Sequence, residues 1–285
     1  MNFELKKHIE RELLGNESLS WQPVGGGSIN ETFKLNSKSN QYFVKSNTTS
    51  VFKNGFYEEI HGLNFLKKHK ALVPEVIVEG KFDNYVFLVL EWIETGNQSL
   101  KFWNSFAQQL AKLHQQKGTH FGLEIDNFMG ELHQKNEFSI NFIDFFIQNR
   151  LRPQVKLAYD SRLLSIHHLK YFESLYKQLK SIFPNEAPCA VHGDLWSGNF
   201  MCSTSEKAIL IDPAVHYSHR EVDLAMTTLF GGFSSEFYNS YQEIYPLERG
   251  FQQRKELYNL YPLLIHLNLF GTSYLKSIES IVSQF

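Results

Sequence analysis

The sequence predicts an α+β fold in two lobes, a small antiparallel sheet within residues 1–94 and a larger, mainly helical lobe over residues 95–285. Three observations carry this expectation. Before residue 94, five short runs rich in β-branched and aromatic residues alternate with glycine and Asn/Asp turns, as hairpin-linked strands do. The polar stretch Thr95-Gly96-Asn97-Gln98-Ser99 then breaks the composition, which marks a connection between lobes. Beyond it, apolar residues recur at helical spacing, beginning with Phe102, Phe106, Leu110 and Leu113.

Residues 1–14 alternate charge with Leu5, Ile9 and Leu13, which predicts an amphipathic surface helix and lacks the apolar run of a signal peptide. Trp21 to Val24 and Ile29 to Leu35 predict two strands around Gly25-Gly26-Gly27-Ser28. Glycine permits a tight turn and a close approach of backbone N–H groups to phosphate, so this turn reads as a loop covering a nucleotide; an ordinary hairpin carries the same signature. No Gly-Lys-Ser/Thr follows, which excludes a Walker A loop. A third strand, Gln41 to Lys45, ends on a lone lysine. The following helix, Phe56 to Leu66, carries Glu59 one turn from both Phe56 and Leu63, facing the sheet, while Glu58 faces solvent. Lys45 and Glu59 then read as a phosphate-contacting lysine and the carboxylate that orients it; the alternative is an exposed lysine on an edge strand. Strands at Val76 to Gly80 and Tyr85 to Glu91 complete the sheet. Where the chain leaves it, the backbone of Glu91 and Ile93 offers groups to an adenine edge. Helices are expected over Phe102 to His114, Ser139 to Leu157 and Leu163 to Phe183, with His167 and His168 on a solvated face. Helices return from His219 to the end.

The chemistry concentrates in Ala190-Val191-His192-Gly193-Asp194-Leu195-Trp196-Ser197-Gly198-Asn199-Phe200, read as a hairpin with its loop. His-x-Asp, four residues, then Asn is the spacing of a kinase catalytic loop, where Asp accepts a hydroxyl proton and Asn holds a metal ion. Phosphoryl transfer asks for an acceptor hydroxyl aimed at phosphorus and for cations spread over the phosphate oxygens. Asp194 suits the base. Asn199 and Asp212, the latter closing the apolar run Ala208-Ile209-Leu210-Ile211, suit Mg²⁺, which takes hard oxygens beside phosphates. Capped turns would use the same residue types; the strand-end position of Asp212, with Lys45 and Glu59 upstream, favours the chemical reading. Asp212 is followed by Pro213-Ala214 and a helix opening at Glu221, so there is no room for a long phosphorylatable loop and the enzyme is expected to need no such activation. Glu221 and Asp223 either favour a helix N-terminus or, for Asp223, brace the catalytic loop. Trp196 either walls an acceptor pocket or anchors the loop.

Composition bounds the rest. The 28 basic and 30 acidic residues give a formal charge of -2, so no basic face is implied and nucleic acid is not an expected partner. The 25 Phe predict a core built heavily from aromatic rings. The longest apolar run, Tyr85 to Leu90, is too short to span a membrane, and two cysteines suit a reducing compartment, so a cytoplasmic protein is expected. Cys189 and Cys202 flank the loop in positions that paired strands would supply, and read as buried, inert thiols.

The chain resembles the fructosamine kinase family (ketosamine-3-kinases), within the wider group of aminoglycoside and choline kinase-like enzymes. The resemblance runs through Gly25-Gly26-Gly27-Ser28-Ile29-Asn30, Phe56-x-x-Glu59-x-x-Gly62-Leu63, Leu110-Ala111-x-Leu113-His114, Phe145-Phe146 to Arg150-Leu151, and His192-Gly193-Asp194-Leu195-Trp196-Ser197-Gly198-Asn199. It continues through Asp212-Pro213-Ala214-Val215, Glu221-Val222-Asp223-Leu224-Ala225 and Phe230-Gly231-Gly232-Phe233. It implies a protein-kinase-like fold and a kinase using ATP and Mg²⁺ that phosphorylates the sugar 3-hydroxyl of ketosamines, whether small molecules or glycated protein lysines, after which the adduct decomposes and frees the amine. It also implies Asp194 as base, Asn199 and Asp212 as metal ligands, and Lys45 with Glu59 at the phosphates. Phe142 stands where the family commonly has Trp, and His216 where Tyr is frequent; either would tune sugar preference if it lined the acceptor pocket. A kinase of an aminoglycoside, choline or a sugar is the alternative, and a polycationic acceptor would want an acidic cluster beyond Glu221 and Asp223. A nucleotide-binding pseudokinase would require a missing catalytic group, and none is missing. Nothing in the residues separates a monomer from a homodimer.

Overall fold

The computed structural model describes residues 1–285 except 15–18, 26–29 and 53, and Leu14 only by its backbone. Strands β1 (Ser20–Pro23), β2 (Glu31–Asn36), β3 (Gln41–Thr48), β4 (Val76–Phe82) and β5 (Tyr85–Glu91) form an antiparallel sheet in the order β1-β2-β3-β5-β4. The unbroken apolar run of β5 follows from its place, since both of its faces are covered. Helix α1 (Phe3–Leu14) packs Leu5 and Ile9 with Leu35, Val44, Phe87 and Val89 on one face. Helix α2 (Tyr57–Lys68) packs Leu63 with Val86, Leu88 and Leu90 on the other.

The chain leaves the sheet at Glu91 and is pinned by Gly96 N–H donating to Cys202 O (2.8 Å). Helix α3 (Leu100–His114) then starts at Ser99, whose Oγ accepts from Phe102 N–H, a hydroxyl satisfying an otherwise orphan helix donor. The hairpin β6 (Asn127–Met129) and β7 (Leu132–Gln134) follows. The helix expected over Ser139 to Leu157 is three pieces: α4 (Phe142–Phe145), a π-helical stretch (Phe146–Leu151) and α5 (Arg152–Asp160). Pro153 has no N–H to give to the ladder, and a change of register there accommodates it. In α6 (Ile166–Ile182), His168 is not a solvated residue. Its Nδ1 accepts from Ser165 N–H (2.8 Å) and its Nε2 meets Glu279 Oε1 (2.8 Å). Helices α7 (Glu221–Met226), α8 (Ser235–Ile244), α9 (Phe251–Phe270) and α10 (Leu275–Val282) complete the chain, with α3 packed on α8 and α7 on α9. Among the described residues, no helix is long and apolar enough to cross a membrane.

Four short strands carry the predicted catalytic stretch, and they do not form the hairpin expected. Strand β8 (Cys189–Val191) pairs with β11 (His216–Ser218), and β9 (Phe200–Cys202) pairs with β10 (Ala208–Leu210). Cys189 therefore faces Ser218 and Cys202 faces Ala208, not each other. The β9–β10 hairpin is nested inside the β8–β11 pair, which lays residues 192–199 beside residues 211–215. Ala214 N–H donates to His192 O (3.0 Å) and Ile211 N–H to Asn199 O (3.1 Å), stitching the two segments. Both cysteines are buried, and burial pushes their thiols up, as inert thiols require.

The aromatic core expected from 25 Phe is present. Phe106 has its ring centroid 4.9 Å from Phe200, 5.3 Å from Phe237 and 5.5 Å from Phe233, and is fully buried. Phe106→Ala should therefore destabilise the protein by about 3–5 kcal/mol, the range for emptying a large buried ring. Denaturant unfolding monitored by circular dichroism checks it, and a loss below about 1 kcal/mol would contradict this account of the core.

Candidate active site

The nested strands bring Asp194, Asn199 and Asp212 together, and β3 and α2 deliver Lys45 and Glu59 to the same place. Lys45 lies on the α2 side of β3, opposite Leu88 of β5, and is 7% exposed, so it is no edge-strand lysine. Its ammonium donates to Glu59 Oε1 (2.8 Å) and to Asp212 Oδ1. Burial alone would lower the Lys45 pKa. Glu59 and Asp212 outweigh that and hold the ammonium above its ordinary value, hence charged. Asp212 itself has φ +50°, a left-handed conformation that few non-glycine residues adopt and that tends to occur at functional sites.

Asp194 sits beside Asn199, whose Nδ2 donates to Asp194 Oδ2 (2.9 Å) and to its backbone oxygen (2.8 Å). With its nitrogen so engaged, Asn199 has its amide oxygen to offer a cation. That oxygen and the half-exposed Asp212 carboxylate are hard donors, a set that suits Mg²⁺ accompanied by phosphate oxygens. Burial pushes the Asp194 carboxyl up to about 7; the Asn199 hydrogen bond opposes this, and the charges of Asp212 and Asp223 add to it. A carboxylate poised near neutrality is what proton abstraction at pH 7 requires.

The loop holding Asp194 is fastened from below by Asp223, which is fully buried. Asp223 Oδ2 accepts from His192 N–H and Oδ1 from Gly193 N–H, both at 2.8 Å. Gly193 has φ +85°, and a Cβ there would lie 2.1 Å from Ala214 O, so only glycine fits the turn. His192 is held neutral by burial. Its Nδ1 accepts from Asp194 N–H (3.3 Å), which leaves Nε2–H to donate to Ile211 O (3.0 Å) and couples the Asp194 turn to the Asp212 segment. The helix-terminus and bracing readings of Asp223 therefore both hold, since it lies in the first turn of α7. Glu221 instead forms a buried ion pair with Arg254 (2.5 Å).

The sequence did not point to the residues behind this brace. His114, at the end of α3, faces Asp223 Oδ2 through Nε2 (3.1 Å) and Tyr241 Oη through Nδ1 (2.7 Å). Gln134 of β7 donates to Ala214 O (3.1 Å), and Asn127 of β6 donates to Val215 O (2.9 Å), so the small hairpin buttresses the Asp212 side. A histidine closing an apolar helix face was the one available signal. Its partners lie 109 and 127 residues away in sequence.

On the acceptor side, Trp196 is half-buried; its ring covers Gly198 and lies edge-on to Phe230 (6.0 Å). Phe230, with φ +53°, continues to His266 (4.6 Å), which meets Tyr274 (5.0 Å). His216, the other residue expected at the acceptor pocket, lines a small cavity with Gly193, Phe145, Arg150 and Tyr261. It is buried on β11, neutral, with its pKa pushed down to about 3 by burial and by Arg150, and its Nδ1–H donates to Ala214 O. It lies against Gly193, where an added Cβ would fall 3.2 Å from its Nδ1, and its strand pairs with β8, which leads into the loop. Phe142 is likewise core, stacked 3.6 Å from His219. On the nucleotide side, Gly25 has open space around it, and Gly26, Gly27 and Ser28 lie outside the described residues. The Glu91 N–H, expected to be free, is not: it donates to Glu75 O (2.9 Å), which continues the β4–β5 pairing one residue beyond Val76 and Leu90.

The raised Asp194 pKa has a measurable sign. The folded value lies above the unfolded one, so the favourable contribution is complete below about pH 4 and is lost as pH rises through about 7. Asp194→Asn removes that loss. The melting-temperature gain of the variant over wild type should therefore grow between about pH 5 and pH 8, as scanning calorimetry would record. An equal gain at both values would contradict the assignment.

Comparison with known proteins bears on the chain as a whole. Residues 1–285 match the family profile of fructosamine kinase. The "Probable ketoamine kinase" of Enterococcus faecium is 39% identical over 266 residues, covering 92% of this chain and 94% of that protein. The chloroplastic protein-ribulosamine 3-kinase of Arabidopsis thaliana is 34% identical over 272 residues, covering 92% and 81%. Among solved structures, a thermostable mutant of aminoglycoside phosphotransferase APH(4)-Ia, in a ternary complex with AMP-PNP and hygromycin B, superimposes with a TM-score of 0.68 at 15% identity. It covers 99% of this chain and 98% of its own, a likeness of fold that makes the two-lobe α+β architecture protein-kinase-like. With the profile matching end to end, the chain belongs to the fructosamine kinase family.

Proposed function

We propose that this kinase transfers the γ-phosphoryl group of ATP to the sugar 3-hydroxyl of ketosamines, free or attached to protein lysines, between a nucleotide-binding lobe (residues 1–94) and a catalytic and acceptor lobe (residues 95–285). The observation that carries this reading is the convergence of Asp194, Asn199, Asp212, Lys45 and Glu59 on one site. Asp194 accepts the hydroxyl proton as that oxygen bonds to the γ-phosphorus and the bond to ADP breaks. Lys45, held charged by Glu59 and Asp212, faces the phosphates. Asn199 and Asp212 would hold Mg²⁺, which when bound spreads the negative charge of the phosphate oxygens. Gly25 to Ser28 would cover the phosphates, and the backbone of Ile93, with what Glu91 has left, would meet the base. The ketosamine nitrogen is a protonated secondary amine, and a cation gains by lying over aromatic faces such as those of Trp196 and Phe230. The acids that a polycationic aminoglycoside would want, Glu221 and Asp223, are buried and committed to Arg254 and to the catalytic turn, which favours a singly charged acceptor. The deciding assay compares ribulose-, erythrulose- and fructose-lysine with an aminoglycoside panel; turnover of aminoglycosides alone would overturn the proposal.

Asp194→Asn should lower kcat on the order of 10²–10⁴-fold while ADP affinity holds, as loss of a general base does. Lys45→Met should impair ATP use more than Glu59→Gln, because the carboxylate acts through the lysine. The double variant should lose less than the sum of the two free-energy losses, since groups in one network couple. Steady-state kinetics with ATP varied check both, and strictly additive losses would mean that Lys45 and Glu59 act independently.

Trp196→Phe should raise acceptor KM and change the preference between two ketosamines, while melting temperature and ATP KM hold. A half-buried ring resting on Gly198 and Phe230 is a wall more than an anchor. A fall in melting temperature with unchanged selectivity would show the reverse.

A further inference from the structure

Helix α2 is fastened to both parts of the molecule. Phe56 and Leu63 pack under the sheet, whereas Phe65 and Leu66 belong to the large core of the helical region. Along its length, His61 Nε2 lies 3.4 Å from Glu124, the Phe65 ring is 5.3 Å from Tyr217, and His69 Nε2 meets the Tyr217 hydroxyl at 3.1 Å. Tyr217 is on β11, the strand that follows the Asp212 segment.

Gly62 marks the closest approach. A Cβ at this position would fall 2.8 Å from Pro213 Cγ and 3.4 Å from Pro213 O. The proline ring is rigid and its backbone belongs to the segment carrying Asp212, so neither can yield freely. Glu59 and Gly62 are three residues apart, on one face of the helix. That face thus presents a carboxylate to Lys45 and, one turn on, a bare backbone to the residue after Asp212. Glycine inside a helix costs stability relative to alanine, so its presence here asks for a reason, and the contact with Pro213 supplies one.

We propose that Gly62 and Pro213 form a fixed seat that sets the distance of Glu59 from Lys45 and Asp212, making α2 a permanent clamp on the site. Gly62 is in this sense a positioning residue. The seat rests on the proposed kinase reading for its consequence, but not for its geometry. It also gives a physical basis for a site assembled without a phosphorylated loop: the clamp is closed by packing.

The test uses Gly62→Ala, Pro213→Ala and the double variant in the full chain. Gly62→Ala should raise ATP KM and lower kcat/KM for ATP about ten- to a hundredfold, with acceptor KM unchanged, because displacement of about 1 Å costs that much. The double variant should recover to within about threefold of wild type, since removing the ring makes room for the added methyl. Amide hydrogen exchange across residues 57–68 and calorimetric affinity for Mg-ADP report the seat without turnover. Both should worsen in Gly62→Ala and recover in the double variant. Should Gly62→Ala fail to fold, a double variant that folds and binds Mg-ADP supports the seat, and one that also fails to fold overturns it. A Gly62→Ala protein that is more stable than wild type with unaltered ADP affinity and exchange would overturn the proposal, as would a double variant no better than the single one. If wild type phosphorylates no ketosamine, the proposed function fails, while the exchange and ADP measurements still decide the seat.

Discussion

A single buried carboxylate sets the geometry of the catalytic turn. Asp223 is fully buried, and among the described residues no arginine or lysine pairs with it; two consecutive backbone N–H groups and the His114 ring satisfy it. A buried charge left without such donors would be very costly, so the folded state tolerates Asp223 only when His192 and Gly193 stand where they do. Burial would push its pKa up, but the hydrogen bonds from the His114 ring and the Gly193 N–H outweigh that, and the group stays ionised. The position of Asp194 follows, because the residue after Gly193 has little choice of direction once both N–H groups are committed. The constraint also explains the glycine, since the turn that satisfies Asp223 brings Ala214 O against the Gly193 Cα.

The second constraint is electrostatic and joins the two halves of the chain. Lys45 comes from the sheet, Glu59 from the helix beneath it and Asp212 from the far side of the cleft, yet the three share one buried ammonium. Such a cluster is weak evidence for stability, because desolvation offsets much of the attraction. Its value lies in orientation, since each carboxylate limits where the lysine can go. Helix α2 makes this possible by contributing to the sheet core through Leu63 and to the large core through Leu66.

Two groups of aromatic residues contrast. Phe106, Phe142 and Phe200 are buried and interlocked, filling the helical region with ring-to-ring contacts. Trp196, Phe230, His266 and Tyr274 reach the surface beside the catalytic turn, and Phe230 does so from a strained backbone. Composition alone cannot separate these, because a phenylalanine has the same side chain in a core and at a pocket mouth.

The five strands, the long helices and the candidate residues for phosphoryl chemistry were legible in the sequence, because period, turn chemistry and the spacing His-x-Asp-x4-Asn are local properties. Boundaries near Pro153 were not, since a change of helical register depends on what the freed backbone groups meet. The nested pairing of β8 with β11 around β9 and β10 was not legible either. Three-residue strands carry too little pattern to name their partners, and a hairpin simply pairs the nearest ones. The same holds for His216 and Phe142, whose burial is decided by elements far along the chain. Sequence determined which side chains could accept a proton, hold a cation or steady a phosphate. Tertiary structure decided that they meet, which of them are buried, and that the pKa of Asp194 is lifted, because dielectric and distance are properties of the packed molecule.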